Sequence, residues 1–150
     1  MTRSSAGAAA NGNLEAARRL YDAFGAHDAR ALLASLTEDF RGVVCDGMPD
    51  GLGGTYDGAQ TMLRECWRRV FALVDVRAVP AEYLPIADDR VIVLGQYEGT
   101  ARATGTSLSA AFAHTLSFTD GRVSELVQIT DTGRWRDALR RDAPQTAANR

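Results

Sequence analysis

The spacing of apolar residues changes close to Leu73, and this change limits the fold more than any other feature of the sequence. Before it, apolar residues recur every three or four positions, as they do on amphipathic helices. After it, apolar and polar residues alternate in runs typical of half-buried strands, at 74–86, 91–102, 108–118 and 123–130. A chain that is helical first and β-rich afterwards predicts an α+β domain with its helices on one face of a sheet.

Helix start and stop signals divide the first half of the chain. The first helix is predicted to begin at Asn13 and to end near Gly25, and Asp28 can cap a second helix. A short strand over 40–46 follows. A third helix then begins after a glycine-rich loop, with Asp57 as its predicted cap.

The ends of the chain predict one ordered domain between two tails. Residues 1–12 are rich in small and polar residues and predict a disordered tail, and 142–150 predict a flexible one. The ordered domain would then run over 13–141. Since the sequence has neither an apolar run of about 18 residues nor a secretory leader, we expect no membrane span and a cytoplasmic location.

The composition excludes several classes of chemistry. All 17 basic residues are arginine, which excludes a Schiff-base lysine and a phosphate-loop lysine. Two histidines (His27 and His114) and two cysteines (Cys45 and Cys66) cannot supply a zinc site at the usual spacings, so we expect no metal and reduced thiols. A net charge of −2 argues against nucleic-acid binding. No cofactor motif is present, and we expect none to be needed.

Four segments together resemble the nuclear transport factor 2 superfamily, and within it the SnoaL-like polyketide cyclases and the ketosteroid isomerases. They are LYDAFGAHD at 20–28, residues 36–40, GGTYDG at 53–58 and FTDGRV at 118–123. The resemblance implies a curved, mostly antiparallel sheet that forms a conical barrel, closed by the N-terminal helices, around a pocket for a hydrophobic small molecule. It also implies a homodimer that pairs through the outer face of the sheet.

His114 is the sharpest candidate for chemistry. Alternation along 108–118 places it on one face with Phe112 and Leu116, where desolvation disfavours the charged imidazolium. A neutral core histidine would satisfy this pattern too. Counted back from the turn at Asp120, however, His114 falls where the resembling cyclases keep an active-site histidine, and at or beside the isomerases' oxyanion-binding aspartic acid.

Asp46 ends the predicted strand and is the candidate general base. The resembling isomerases carry their base aspartate at a matching place. A carboxylate at the rim of an apolar pocket has its pKa raised toward the range that suits proton abstraction from carbon. The alternative is an Asx turn with Gly47, which aspartate forms readily.

Gln128 marks a departure from the resembling cyclases, which keep their base aspartate at this position. A glutamine cannot abstract a proton, but it can orient a water or a carbonyl by hydrogen bonding. Asp131, three residues further on, is the candidate for a displaced acid. Its alternative role, which Thr132 could also fill, is to cap a last short helix around Trp135.

Six aromatic or methionine residues are predicted to line the pocket, although residues at such spacing also form ordinary core. They are Tyr21, Met48, Trp67, Phe71, Tyr97 and Phe112. Tyr21 lies one position from the place where the isomerases keep their oxyanion tyrosine. Because one step along a helix turns a side chain by about 100°, Tyr21 would point in a different direction from that tyrosine.

These residues predict a cofactor-independent enzyme that acts on an apolar carbonyl compound, and the resemblance implies a place in polyketide or other secondary-metabolite biosynthesis. Its reaction would be acid/base proton transfer next to a carbonyl, giving cyclisation, isomerisation or dehydration. Asp46 would be the base, His114 would donate to the developing enolate oxygen, and Gln128 and Asp131 would hold the substrate or a water. Two alternatives stay open: a non-catalytic binding protein for a hydrophobic metabolite, which Gln128 favours, and an epoxide-opening or hydroxylating enzyme on the same fold.

Overall fold

The computed structural model describes residues 2–140. The helices are α1 (Thr2–Gly25), α2 (Ala29–Ala34), α3 (Ala59–Thr61), α4 (Arg68–Leu73) and α5 (Thr132–Leu139). A π-helical stretch (Met62–Trp67) joins α3 to α4, and the three form one continuous middle helix. The strands are β1 (Leu36–Val44), β2 (Gly54–Asp57), β3 (Val74–Ala87), β4 (Arg90–Ala101), β5 (Ser107–Thr119) and β6 (Arg122–Thr130). Within 2–140, no helix is long and apolar enough to cross a membrane.

The six strands form one curved sheet in the order β2-β1-β6-β5-β4-β3. Neighbouring strands are antiparallel except β1 and β6, which run parallel. The predicted α+β class with a curved, mostly antiparallel sheet is therefore confirmed. The sheet stays open, however, because no ladder among the described residues joins the edge strands β2 and β3, so hydrogen bonds do not close the cone into a barrel.

The core lies between the helices and one face of the sheet. Inward-facing residues of β5 are buried while their neighbours are half-buried or exposed, as the period of two requires. α1 packs against β3, and α5 packs against β5. Phe24 of α1 meets Trp67 of the middle helix edge-on, with ring centroids 6.1 Å apart. The helices therefore cover the inner face, which is where a ligand site can form.

α1 begins at Thr2 and not at the predicted Asn13, so the backbone over 2–12 is helical where a tail was expected. This stretch is rich in alanine, the residue with the highest helix propensity, and the helix continues through it. Asn13 is buried inside the helix, and its side-chain amide donates to the carbonyl of Asp88 at 3.0 Å. The predicted tail over 142–150 lies outside the described residues.

The strand β2 was not predicted, and it displaces a predicted helix cap. Asp57 is the last residue of β2, and the middle helix begins after Gly58. Gly58 has φ +98°, a backbone conformation that favours glycine. Because β2 is only four residues long and begins with glycine, its alternation is too short to recognise in the sequence.

Asp131 caps α5, which confirms the second of the two roles predicted for this residue. Its carboxylate accepts a hydrogen bond from the backbone N–H of Arg134 at 3.3 Å. Replacing Asp131 with Ala should lower the free energy of unfolding by about 1 kcal/mol. Urea unfolding measures this, with Asp137→Ala as the control because Asp137 is exposed near the other end of α5. Equal losses in the two variants would contradict the capping role.

Candidate functional site

A cavity of about 40 Å³ lies between the inner face of the sheet and the helices. Its wall is mainly apolar and includes Leu20, Phe24, Leu52, Met62, Val70 and Leu126. Space of this size holds roughly three water molecules, so a larger ligand enters only when side chains of the wall move. Met48 and Met62 are well suited to move, because methionine has three rotatable bonds.

Four polar side chains reach this apolar wall, each from a different element. Tyr21 comes from α1, Tyr97 from β4, His114 from β5 and Gln128 from β6. All four are buried, and His114 lies directly opposite Gln128 in the β5–β6 ladder. These four residues form the polar cluster of the cavity.

The polar cluster is a continuous chain of hydrogen bonds. Nδ1 of His114 lies 2.8 Å from the hydroxyl of Tyr21, and Nε2 lies 2.7 Å from the hydroxyl of Tyr97. The Gln128 amide donates to the Tyr97 hydroxyl at 2.9 Å, and the Cys45 thiol donates to Oε1 of Gln128 at 3.7 Å. Each end of the Gln128 side chain thus has a partner of the correct kind.

The polar cluster is uncharged. Burial lowers the pKa of His114 from 6.5 to about 3, because an imidazolium is costly to remove from water. Burial also raises the pKa of Tyr97 and of Tyr21 above the ordinary tyrosine value. It raises the pKa of the cavity-lining Cys66 thiol to about 12. At neutral pH these groups are therefore all uncharged, and each can act only as a neutral hydrogen-bond donor or acceptor.

The imidazole of His114 and the two tyrosine hydroxyls carry one more hydrogen than the two hydrogen bonds between them use. A neutral imidazole has one N–H and one lone pair, so His114 donates to one tyrosine hydroxyl and accepts from the other. Together the imidazole and the hydroxyls of Tyr21 and Tyr97 hold three such hydrogens, and two of them lie in the two bonds. In either tautomer, one tyrosine O–H is left over for a ligand.

Six of the ten predicted site residues line the cavity. They are Tyr21, Met48, Trp67, Tyr97, His114 and Gln128. Five of them lie on α1, the middle helix or the strands, Met48 lies in the loop between β1 and β2, and the folded chain brings all six together. Their contact with a ligand stays a prediction.

Asp46 does not line the cavity, contrary to its predicted position at the rim of the pocket. β1 ends at Val44, and Asp46 is exposed in the following turn, where the N–H of Met48 donates to the carbonyl of Cys45 at 3.2 Å. Gly53 packs closely on this turn, since a Cβ at Gly53 would lie 2.8 Å from Cα of Asp46. The carboxylate is therefore solvated, and an apolar wall does not surround it.

Three further predicted residues also lie outside the cavity wall. Asp131 is exposed and caps α5, so it is no displaced acid within the cavity. Phe71 stacks on His27, with ring centroids 4.1 Å apart. Phe112 stacks on the imidazole of His114, also at 4.1 Å and with 15° between the ring planes. Phe112 therefore supports the imidazole without contacting the space for a ligand.

The match to a known family covers most of the described chain. A family model for the SnoaL-like domain matches residues 17–126. The chain belongs to the SnoaL-like family. The matched segment contains Tyr21, Tyr97 and His114, and it ends two residues before Gln128. No curated protein matches this SnoaL-like chain in sequence.

Several solved structures share the fold of this SnoaL-like protein. An NTF2-like protein of unknown function from Burkholderia pseudomallei K96243 is 32% identical, with a TM-score of 0.77 over 85% of this chain and 97% of that chain. TerC, co-crystallised with polyporic acid, is 29% identical, with a TM-score of 0.77 over 85% and 98% of the two chains. A protein of Jannaschia sp. CCS1, named provisionally as a SnoaL-like polyketide cyclase, is 18% identical, with a TM-score of 0.74 over 89% and 94%. At that identity the last comparison shows the fold alone.

Sequence reasoning missed Cys66, Leu52 and Trp135 as cavity residues of this SnoaL-like domain. Cys66 and Trp135 fall on apolar helical stripes, and that signal could have included them. Leu52 is fully buried but lies in the irregular loop between β1 and β2, where no period marks it.

The cavity of this SnoaL-like domain lacks an acidic group among the side chains that the structure describes. The described residues also bring no three histidine, cysteine, aspartate or glutamate side chains together as metal ligands. The polar groups of the described cavity wall are therefore tyrosine hydroxyls, an imidazole, an amide, a thiol and the indole N–H groups of Trp67 and Trp135.

Proposed function

We propose that this SnoaL-like protein is a cofactor-independent enzyme that binds an apolar carbonyl compound and promotes proton transfer next to the carbonyl. The spare tyrosine O–H of the polar cluster, at the wall of an otherwise apolar cavity, supports this proposal. A carbonyl oxygen would accept that hydrogen bond. Because negative charge grows on the oxygen as the neighbouring proton leaves, the bond becomes stronger in the transition state.

The aromatic wall favours a flat ligand with few oxygen atoms. Trp67 and Trp135 line the cavity, and Trp135 meets Tyr97 edge-on with centroids 5.1 Å apart. Such walls bury apolar rings and leave specificity to a small number of hydrogen bonds. TerC was crystallised with polyporic acid, which makes that compound the first to test here. Cyclisation, isomerisation and dehydration in polyketide or other secondary metabolism are the reactions that family membership supports.

A non-catalytic binding protein for a hydrophobic metabolite is the second candidate. The observation that favours it is the lack of a carboxylate at the described cavity wall, with Gln128 inside and Asp46 exposed in the turn after β1. Turnover separates the two candidates. A ligand that is recovered unchanged after long incubation with the protein would support binding alone.

Tryptophan fluorescence tests ligand entry, because both tryptophans of the chain line the cavity. We expect saturable quenching by polyporic acid and by isophorone, a compact apolar enone. In the double variant Tyr21→Phe/Tyr97→Phe, the affinity should fall about fivefold, since one hydrogen bond is worth about 1 kcal/mol. Binding should shift the infrared band of a ¹³C-labelled isophorone carbonyl in the wild type, and this shift should be absent in the double variant.

The matched control for this test is Tyr83→Phe. Tyr83 packs edge-on against Tyr21 at 6.3 Å but lies outside the cavity wall. It should leave both the affinity and the carbonyl shift unchanged. An unaltered carbonyl shift in the double variant would overturn the proposed binding mode.

We also propose a homodimer that pairs through the outer face of the sheet. Ile129 is 64% exposed on this face, and Ala113 is its cross-strand partner. Burying such apolar surface against a second copy would stabilise the pair. Ile129→Arg should therefore shift the protein toward monomer in sedimentation velocity, whereas Ile86→Arg, near the β3–β4 turn, should not. A dimer that tolerates Ile129→Arg would contradict this interface.

A further inference from the structure

The two tyrosine hydroxyls of the polar cluster are bound to opposite nitrogens of one imidazole. The hydroxyl of Tyr21 meets Nδ1 of His114 at 2.8 Å, and the hydroxyl of Tyr97 meets Nε2 at 2.7 Å. Both tyrosines line the same cavity. A neutral imidazole that takes a proton at one nitrogen and releases one at the other only changes its tautomer.

We propose that Tyr21, His114 and Tyr97 form a charge-neutral proton relay, which removes a hydrogen from one end of a conjugated carbonyl ligand and delivers one to its carbonyl oxygen. This inference rests on the proposed function, because it requires the ligand to bind with its carbonyl oxygen on a tyrosine of the cluster. The relay also names the group that accepts the ligand's proton, which is the hydroxyl of Tyr97.

The proton balance of the step is complete. At the start, the Tyr21 O–H donates to the ligand carbonyl, Nδ1–H of His114 donates to Tyr21, and Tyr97 donates to Nε2. The Tyr21 proton then passes to the carbonyl oxygen, and the Nδ1 proton replaces it on Tyr21. The Tyr97 proton passes to Nε2, and Tyr97 takes a proton from the ligand. The electron pair of the broken ligand C–H or O–H bond moves through the conjugated system to the carbonyl oxygen, and every group ends neutral.

Neutrality is what makes the relay feasible in this cavity. His114 is 4% exposed, and burial alone holds its pKa at about 3, so the residue is a poor base if it must end as an imidazolium. In the relay it never carries a net charge, so the desolvation penalty does not arise. The lack of a carboxylate among the described cavity residues is then compatible with proton transfer.

Gln128 is a positioning residue in this arrangement. Its amide donates to the Tyr97 oxygen at 2.9 Å, and that bond uses one lone pair of the oxygen in both tautomers of His114. The other lone pair accepts either the ligand proton or Nε2–H. Phe112 stacks on the imidazole, with ring centroids 4.1 Å apart and 15° between the ring planes, and so limits rotation of the His114 ring.

The geometry also defines the ligand class. The two hydroxyls are separated by the width of the imidazole and by two hydrogen bonds, so no single ligand atom reaches both. The relay therefore extends the proposed proton transfer from the carbon next to the carbonyl to a position further away, which is linked to the carbonyl oxygen by conjugation. Conjugated enones with allylic hydrogens and hydroxy-substituted enones or quinones meet this requirement.

Hydrogen–deuterium exchange into isophorone tests the relay, since its allylic hydrogens are conjugated with the carbonyl. In D₂O the wild-type protein should catalyse deuterium incorporation at these positions, measured by NMR. Once the Tyr97 hydroxyl has exchanged the hydrogen it took from the ligand for deuterium from D₂O, the reverse step returns that deuterium to carbon and restores the first tautomer of His114. Tyr97→Phe and His114→Gln should each lower the exchange rate by about 10²-fold, the typical contribution of acid–base groups.

His114→Gln separates the relay from simple carbonyl binding. Its amide keeps one donor and one acceptor, so a tyrosine O–H stays available, but an amide does not exchange its proton between the two ends as imidazole does. Isophorone affinity and the carbonyl infrared shift should therefore be kept while exchange is lost. Tyr97→Phe provides the same separation if His114→Gln fails to fold, and Tyr83→Phe should exchange like the wild type.

The outcomes distinguish the relay from the proposed function. Loss of exchange by less than tenfold in Tyr97→Phe or His114→Gln would overturn the relay. A wild-type protein that binds isophorone and shifts its carbonyl band, but exchanges no hydrogen above buffer, would overturn the relay and leave the proposed binding mode intact. A wild-type protein that neither binds isophorone nor shifts its carbonyl band would overturn both.

Discussion

Acidification from about pH 6.5 to about pH 3 should destabilise the protein by up to about 5 kcal/mol through His114 alone. Burial lowers the pKa of His114 in the folded state to about 3, whereas the unfolded chain has the ordinary value of 6.5. Between these values the unfolded state binds a proton that the folded state does not. The stabilising contribution is therefore present above pH 6.5 and is lost as the pH falls toward 3.

Urea unfolding across this pH range, with wild type and His114→Gln compared at each pH, measures the effect. Exposed carboxylates contribute equally to both proteins, so the difference between the two curves isolates the histidine. His27→Asn is the matched control at the other histidine, which has φ +53°, a conformation that asparagine tolerates. It should keep the full acid sensitivity. If His114→Gln loses stability with acid as steeply as the wild type, the buried neutral imidazole is contradicted.

Replacing Trp135 with Ala should lower the free energy of unfolding by about 3–5 kcal/mol, the range for removing a large buried aromatic side chain. Trp135 is 1% exposed, lines the cavity and meets Tyr97 edge-on at 5.1 Å. Its indole N–H donates to the hydroxyl of Thr130 at 3.2 Å. The Trp135→Ala variant therefore loses the contacts that hold α5 against the sheet and also part of the cavity wall.

Thermal and urea unfolding measure the loss, and Trp135→Phe is the control because it keeps an aromatic ring and removes the N–H. The phenylalanine variant should lose about 1–2 kcal/mol, clearly less than the alanine variant. Similar small losses in both variants would show that α5 is not anchored to the core through this ring.

The class of fold could be predicted because periodicity is local information. The change of period after Leu73 identified four of the six strands over nearly their full lengths, and burial alternates along β5 as expected. The same alternation identified His114, because it is a polar residue on the apolar face of β5. Asp28 and Asp131 cap their helices because capping depends on residues only three positions apart.

The parts of the site that local patterns could not predict depend on where elements end and on distant partners. Asp46 was placed at the rim because the predicted strand continued to residue 46, but β1 ends at Val44 and the turn exposes the carboxylate. Tyr21 and His114 are 93 positions apart, and no local pattern indicates that one binds the other. The spare tyrosine hydrogen follows from these contacts and not from any local pattern in the sequence.

Nitrogen NMR of ¹⁵N-histidine-labelled protein tests the central claim, that a neutral His114 binds two tyrosine hydroxyls inside the cavity. At about pH 5, between the ordinary pKa of 6.5 and the folded value of about 3, His114 should show one protonated and one unprotonated ring nitrogen. Tyr21→Phe should shift the Nδ1 resonance, and Tyr97→Phe should shift that of Nε2. Two protonated nitrogens at this pH, or resonances that neither variant moves, would contradict the account.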